Sequence, residues 1–458
     1  MPKSKASAIR PKSHALTLSA VQLELNQFLT THIKPGQHLL LAFSGGLDSC
    51  VLLHLLTNAK LILGVEFSAM HVHHGLSPNA DEWVNFCVQQ CEHLKVPLQI
   101  VHVQVEKNPN LGIEATARGL RYEALFNAAV AETSPDFIVT AHHEDDQAET
   151  LILQLMRGAG VKGLASMASI DPLRRLLRPL LGITRQQLYD YAKLNAIAWC
   201  DDESNENTHY ERNFVRHELM PMLALRSPAI SSVLARTATH MAEANTLLDE
   251  LARIDAETLV LKNSVCVSGL RTLSHARAKN VLRYWLARNQ LAMPHTDQLI
   301  EILHQLLDAK ADANINIPLQ HLSLKRFQQR VYLCHEQVAQ DFDLVWNGEQ
   351  YLDLPNGGQL VFKQVIGSGL ALKFGMTKLR ITNRDGGERF KPNVLRPTRT
   401  LKHLLQEANV PPWQRTNLPL IYWHDTLAYV PGIGIAHELQ AHGEEAGLVI
   451  SWHDVSTD

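Results

Sequence analysis

The 458-residue sequence has the composition of an ordinary globular protein, with 45% apolar and 19% charged residues. Its length predicts two to four domains, each able to bury a normal core. The formal net charge is −3, which excludes a strongly basic protein, so any surface that binds a nucleic acid has to be local.

The cysteines and the N-terminal residues indicate a reducing compartment. The six cysteines contain no C-x-x-C pair and are too few to cross-link a chain of this size, which favours free thiols. Residues 1–13 are basic and polar without a following apolar stretch, so they do not resemble a signal peptide. There is also no run of about 18 apolar residues that would predict a membrane span. We therefore expect a cytoplasmic protein that does not associate with a membrane.

Strands and helices are predicted to alternate through roughly the first 160 residues. The predicted strands are 39–43, 68–72, 97–105 and 137–141, and the predicted helices are 48–56, 79–94, 112–131 and 145–157. This alternation predicts an α/β domain with a doubly wound parallel sheet. Such sheets bind ligands beyond the carboxyl ends of their strands.

The remainder of the chain changes character. Helices are predicted near 185–194, 229–261, 274–289 and 295–307, and short strands between 315 and 334. Residues 341–369 are rich in glycine and are predicted to be a linker region. We therefore predict three domains: an α/β domain at 1–216, a mainly helical middle domain at 217–340, and a small α+β domain at 341–458.

The segment Ser44-Gly45-Gly46-Leu47-Asp48-Ser49 lies between the first predicted strand and the first predicted helix. A helix N-terminus attracts phosphate, glycines let the backbone approach an anion, and the serines add hydroxyl donors. Asp48 would repel phosphate directly, so it is either a helix cap or a ligand for Mg²⁺. The segment lacks the Walker Gly-Lys-Ser/Thr and the G-x-G-x-x-G pattern, which argues against kinases, GTPases and dehydrogenases. A capped glycine turn without a ligand is the alternative.

This segment resembles the pyrophosphate loop of the N-type ATP pyrophosphatases, the PP-loop superfamily. The resemblance implies an adenine nucleotide alpha hydrolase-like fold in which ATP is cleaved between its α and β phosphates and AMP is transferred to a carbonyl-type oxygen. Adenylation turns that oxygen into a good leaving group, and the loop would stabilise the departing pyrophosphate. The implied ATP-binding residues are Ser44, Gly45, Gly46, Leu47, Asp48 and Ser49.

Further motifs lie at 71–76, 114–122, 140–150, 157–158, 178–180, 201–205 and 212–216, and near the C-terminus at 386–390, 401–407, 410–413 and 431–434. Together they resemble the motifs of the tRNA(Ile)-lysidine synthetase family. The resemblance implies a C–N ligase that uses ATP and Mg²⁺ to join free L-lysine to C2 of the wobble cytidine of a tRNA(Ile) with a CAU anticodon. It also implies that residues 1–216 are the catalytic domain and residues 341–458 bind the tRNA.

The same resemblance suggests the site residues. The catalytic candidates are Asp48, Arg118, His142, Asp145, Asp146 and Glu149, with Asp48 and Asp146 as metal ligands. The substrate-binding candidates are Glu114, Arg121, Asp202, Ser204, Asn205, Arg212 and Arg216.

Simpler interpretations of these residues stay open. The carboxylates at 145–149 crowd one helical turn, so ordinary N-terminal capping explains part of their pattern. Glu114, Arg118 and Arg121 have the spacing of a surface ion-pair group. Arg212 and Arg216 are four residues apart and could contact either the tRNA backbone or the triphosphate.

A basic segment predicts the RNA-binding part. Residues 373–402 contain nine basic and two acidic residues, a net charge of +7. Such a patch suits contacts to an RNA backbone, although a solvated basic face is the alternative. The predicted tRNA contacts are Arg389, Lys391, Arg396, Arg399 and Lys402.

Other functions compete with this interpretation. A PP-loop tRNA thiolase would need suitably placed cysteines, and an amidotransferase-type synthetase would need a glutaminase domain or partner. A non-catalytic RNA-binding protein with a relic nucleotide fold is a rival of a different class. The identity of the general base and the oligomeric state, including a homodimer, are left open.

Overall fold

A computed structural model describes residues 19–105, 113–128, 135–201, 207–261, 263–310, 313, 315–335, 340–372, 378–395 and 397–453, with the side chains of 116–127 in the second range. The chain divides into two compact units, Met1–Leu247 and Leu248–Asp458. The division into domains at 217 and 341 stays a prediction. None of the described helices combines the length and the apolar content needed to cross a membrane.

The first unit contains a six-stranded sheet with helices between its strands. Its strands are β1 His38–Ala42, β2 Glu66–His73, β3 Leu98–His102, β4 Phe137–Val139, β5 Ile170–Asp171 and β6 Leu176–Leu177. Its helices are α1 Ala20–His32, α2 Leu47–Leu63, α3 Ala80–Leu94, α4 Ile113–Ala128, α5 Glu144–Met156, α6 Val161–Leu164, α7 Arg185–Leu194, α8 Glu211–Phe214 and α9 Met220–Arg226, and a π-helical turn at Val215–Leu219 joins the last two.

The sheet has the strand order β3-β2-β1-β4-β6-β5, and every pair is parallel except β5 with β6. β1 lies in the interior of the sheet, between β2 and β4. Its leucines at 39, 40 and 41 are buried on both faces, as expected for a strand covered by helices on each side. The predicted doubly wound parallel sheet is confirmed. β1 and β4 are neighbours and parallel, so the segments that follow them meet at one edge of the sheet.

The long helix α10, Ile230–Leu259, contains the boundary between the two units. The second unit continues with helices α11 Val267–Thr272, α12 His275–Arg288 and α13 Thr296–Asp308. They pack on an antiparallel sheet of order β7-β8-β11-β10-β9, whose strands are β7 Val260–Leu261, β8 Ser264–Cys266, β9 Asn316–Leu319, β10 Leu322–Phe327 and β11 Arg330–His335. Trp285 is the largest side chain in this core and is 1% exposed.

The C-terminal part of the second unit is a β-rich body with two short helices. Its strands are β12 Asp343–Trp346, β13 Tyr351–Asp353, β14 Gln359–Ile366, β15 Leu370–Ala371, β16 Leu379–Thr382, β17 Arg389–Phe390, β18 Arg399–Thr400, β19 Leu420–Trp423, β20 Thr426–Val430, β21 Gly434–Ile435 and β22 Ala446–His453. Its helices are α14 Leu401–Glu407 and α15 Pro412–Thr416. The strands form sheets of order β12-β16-β19-β20-β21 and β13-β14-β22-β15 and the pair β17-β18.

The prediction of a linker at 341–369 is wrong, because this segment contains β12, β13 and β14. Its glycines are turn residues between short strands: Gly348 has φ +111° and Gly357 has φ +87°. Positive φ suits glycine best. A high glycine content therefore marked tight turns rather than an unstructured connection.

Candidate active site

The predicted nucleotide loop, residues 44–49, connects β1 to α2 as expected. Gly45 has φ +85°, and a Cβ atom on it would lie 3.0 Å from Sγ of Cys87. Both features require glycine at this position. Gly46 is the N-cap of α2 and has no side-chain capping bond. The helix N-terminus is therefore not closed by a side chain of the loop.

Two serine hydroxyls organise the loop from inside. The Gly45 N–H donates to Oγ of Ser49 at 3.1 Å, and the Gly46 N–H donates to Oγ of Ser44 at 3.4 Å. Ser49 in turn donates to the carbonyl oxygen of Gly46 at 2.9 Å. The N–H groups in the first turn of α2, at 47–49, have no acceptor within the helix. They are the donors that suit an anion at this end of the helix.

The rear of the loop is fixed by a neighbouring segment and by buried thiols. The N–H of Cys200 donates to the carbonyl oxygen of Gly45 at 2.9 Å. Burial raises the pKa of Cys50 and of Cys87, so both side chains are neutral thiols that pack against the glycine turn. The conformation of the loop thus depends on tertiary contacts as well as on its own residues.

His143 links the nucleotide loop to the acidic turn of α5. It is the N-cap of α5 in a reciprocal capping box: its Nδ1 accepts from the Asp146 N–H at 3.4 Å, and its own N–H donates to Oδ2 of Asp146 at 3.1 Å. Its Nε2 lies 3.5 Å from Oδ2 of Asp48 and 3.5 Å from Oδ2 of Asp146. Burial alone would lower the pKa of His143, but Asp146 and Asp48 raise it above its usual value.

The catalytic histidine predicted from the sequence is His142 and not His143. The structure places His143 between the two predicted metal ligands. His142 instead contacts Oγ1 of Thr140 through Nδ1 at 2.8 Å, and burial lowers its pKa to about 3, which keeps it neutral. The position of His143 in the sequence could have indicated its role, because the residue directly before an acidic first helical turn is the N-cap of that helix.

A buried ion-pair network brings four predicted site residues together. Nε and Nη2 of Arg212 donate to Glu149 and Asp146, each at 2.9 Å. Arg216 donates from Nε and Nη2 to Glu149 at 2.6 and 2.9 Å, and from Nη2 to Asp146 at 3.1 Å. Burial alone would raise the pKa of Asp146, but His143 and Arg212 hold it well below the usual range. Asp146 and Glu149 are thus carboxylates that orient two arginines.

Asp48 fits a divalent cation better than Asp146 does. Oδ1 of Asp48 is buried and has no hydrogen-bond partner within the described part of the chain. Both arginines already donate to Oδ1 of Asp146. Among the described residues, no group of three or more histidine, cysteine, aspartate or glutamate side chains is arranged to hold a metal ion. A cation here would therefore need oxygen atoms from a bound nucleotide or from water to complete its ligands.

The structure places other candidates around this centre. Asp145 accepts from the N–H of Arg185 at 2.8 Å and from Oγ of Ser231 at 2.9 Å, so both of its oxygens are bonded to protein. Arg118 lies 5.4 Å from the ring centroid of Tyr122, and its charge acts on His142. Arg121 donates from Nη2 to Nε2 of His74 at 2.9 Å. The side chain of Glu114 and residues Asp202, Ser204, Asn205 and Arg396 lie outside the described residues.

The four predicted RNA contacts that the structure describes lie in the C-terminal body of the second unit. Arg389 and Arg399 are on the paired strands β17 and β18 and line a polar cavity. The backbone oxygen of Lys391 accepts from the N–H of His437 at 2.9 Å. Lys402 is exposed on α14.

Comparisons with known proteins agree with this geometry. Residues 17–223 match the family model of the PP-loop domain, which defines the class of the first unit. Residues 266–332 match the TilS substrate binding domain, and residues 379–452 match the TilS substrate C-terminal domain.

Curated relatives match almost the whole chain. A tRNA(Ile)-lysidine synthase of Nitrosomonas europaea is 42% identical over 93% of this chain and 94% of that protein. Those of Coxiella burnetii and Serratia proteamaculans are each 38% identical, over 93% and 94% of this chain and 95% and 98% of the relatives. The chain belongs to the tRNA(Ile)-lysidine synthase family.

Proposed function

We propose that this chain is an ATP-dependent C–N ligase that joins free L-lysine to C2 of the wobble cytidine in a tRNA(Ile) with a CAU anticodon, releasing AMP and pyrophosphate. The observation that carries the proposal is the meeting of the nucleotide loop with the acidic turn of α5 through His143. The nucleotide loop suits a pyrophosphate leaving group, and the acidic turn of α5 holds Arg212 and Arg216 in fixed positions.

In this proposal the first turn of α2 and the loop hydroxyls bind the β and γ phosphates of ATP. The C2 oxygen of the cytosine attacks the α phosphate, and the bond from the α phosphorus to the bridging oxygen breaks to release pyrophosphate. The charge that develops on the departing pyrophosphate therefore lies near the N-terminus of α2, where it is stabilised electrostatically. A Mg²⁺ ion held by Asp48 would neutralise further phosphate charge when bound.

In the second half-reaction the deprotonated amine of lysine attacks C2 of the cytosine, and the C2–oxygen bond breaks to release AMP. Arg212 and Arg216 use Nε and Nη2 on the two carboxylates. Among the described residues, Nη1 of neither arginine has a hydrogen-bond partner, so these two groups can contact the triphosphate or the RNA backbone. Because the carboxylates fix the guanidinium planes, the arginines do not have to reorganise when a substrate binds.

The test measures AMP and pyrophosphate released by the full chain with ATP, Mg²⁺, lysine and a tRNA(Ile) transcript. The parent should require both lysine and the tRNA, and the product should be the lysine adduct. Asp48→Asn should reduce turnover by at least about a hundredfold if its charge acts at the phosphates. Asp190→Asn changes an exposed acid on α7 in the same unit and should leave turnover unchanged.

Each rival predicts a different result. Sulfur transfer to the tRNA in place of lysine would identify a thiolase. RNA binding without any AMP release would identify a non-catalytic RNA-binding protein. Full turnover of Asp48→Asn would contradict the role of Asp48 at the phosphates.

A further inference from the structure

The C-terminal body contains a cavity of about 470 Å³ that is lined only by polar and charged side chains. The lining residues are Arg389, Thr398, Arg399, Thr400, His403, Gln406 and Glu407. The volume is within the range of pockets that accept a nucleotide-sized group. The lining contains no aliphatic residue, and its one aromatic ring is the imidazole of His403, so the cavity suits a polar, hydrogen-bonding occupant.

Two arginines give the cavity its preference for an anion. The backbones of β17 and β18 pair Arg389 with Thr400 and Phe390 with Arg399, which fixes the origin of both arginine side chains. Arginine recognises phosphate through several N–H groups in one plane. The threonines at 398 and 400 add hydroxyl donors of the kind that contact phosphate oxygens. The chemistry points to a phosphate group, either in an RNA backbone or as a free ion.

Glu407 introduces an opposing charge into the same cavity. It is the last residue of α14, and its Oε1 accepts a hydrogen bond from Nη1 of Arg399. The side chains of Arg399 and Glu407 are 44% and 43% exposed. An entering phosphate would therefore meet an arginine that already has an anionic partner, and a carboxylate that repels it.

We propose that Glu407 is an internal counter-ion that competes with RNA phosphate for Arg399 and thereby limits the affinity of this cavity for the ribose–phosphate backbone of the substrate RNA. The inference rests on the proposed function for the RNA substrate, but not on the chemistry of the first unit. In the free protein the carboxylate occupies the position of a phosphate. In the complex Arg399 exchanges the carboxylate for the RNA.

The test measures the affinity of the full-length protein for a tRNA(Ile) transcript by fluorescence anisotropy over a series of salt concentrations. Glu407→Gln keeps the shape of the side chain but removes the charge, and it should tighten binding about threefold to fivefold, the scale of a partly exposed ion pair. Arg399→Gln should weaken binding and reduce the salt dependence by about one phosphate contact. The double variant should bind as weakly as Arg399→Gln.

The matched control is an exposed ion pair in the same body. Asp343 lies on β12 and Arg380 on β16, and Oδ2 of Asp343 is 2.9 Å from Nη2 of Arg380. Their side chains are 57% and 58% exposed. Asp343→Asn changes the net charge as Glu407→Gln does, and it should leave the affinity within about 1.5-fold of the parent. Equal tightening by both variants would show a general charge effect and overturn the proposal. A gain from Glu407→Gln that persists without Arg399 would overturn it too.

A second arm separates RNA phosphate from free phosphate. Inorganic phosphate is titrated into the parent, Glu407→Gln and Arg399→Gln proteins by calorimetry. If Glu407→Gln improves phosphate binding through Arg399 while tRNA affinity stays constant, the cavity is a free-phosphate site and the proposal is wrong. Failure of the proposed function would show differently, as an absence of lysine-dependent AMP release with the tRNA-affinity differences intact. Thermal denaturation of each variant confirms that the fold is retained.

Discussion

Replacing Glu149 should destabilise the first unit far more than replacing an exposed glutamate. The side chain of Glu149 is 4% exposed and accepts three N–H···O bonds of 2.6 to 2.9 Å from Arg212 and Arg216. Glu149→Ala removes these acceptors and leaves two guanidinium groups facing Asp146 alone. The comparison variant is Glu66→Ala, which removes an exposed ion pair between Glu66 and Lys60.

The size of the effect follows from burial. Breaking a buried ion pair by removing one partner costs about 3–5 kcal/mol. The side chains of Arg212 and Arg216 are each 22% exposed, so solvent recovers part of this cost and the lower end, about 3 kcal/mol, applies. In a unit of this size each kcal/mol lowers the melting temperature by about 2–4 °C. Glu66→Ala should cost about 0.5 kcal/mol or less.

The assay is native-state hydrogen exchange of the α5 amides, because it reports on the first unit without requiring both units to unfold together. Urea denaturation provides the independent value. If Glu149→Ala and Glu66→Ala differ by less than about 1 kcal/mol, the four-residue network does not hold α5 and α8 together. The reasoning from burial would then be refuted.

Three further predictions concern the loop, the thiols and the second core. Gly45→Ala should abolish ATP binding in equilibrium dialysis, since the residue has φ +85° and its Cβ would approach Sγ of Cys87 to 3.0 Å; normal ATP affinity would contradict this. At pH 8, iodoacetamide should modify Cys266 before Cys91, as measured by peptide mass spectrometry. A hydrogen bond with Ser268 lowers the pKa of Cys266, whereas burial raises the pKa of Cys91 to about 12. Equal modification rates at the two thiols would count against this prediction. Trp285→Ala should cost about 3–5 kcal/mol in the unfolding of the second unit, and a loss below about 1 kcal/mol would show that its core collapses around the missing ring.

Local sequence patterns determined the architecture of the first unit. The apolar run Leu39–Leu41 predicted a short buried strand, and the glycine pair that follows it predicted a turn into a helix. Both patterns involve only a few consecutive residues, so they can be recognised in the sequence without knowledge of the fold. The resemblance of the dispersed motifs to the tRNA(Ile)-lysidine synthetase family supplied the function, and the family is confirmed by the relatives that match almost the whole chain.

Only the tertiary structure decided the partners of the charged residues. Arg212 and Glu149 are 63 residues apart in sequence, and their pairing depends on how α8 packs against α5. The same holds for His143, whose position between Asp48 and Asp146 is created by two neighbouring strands that end at one edge of the sheet. Sequence periodicity places a side chain on one face of its own helix or strand, but a charge finds its partner only when that face packs against another.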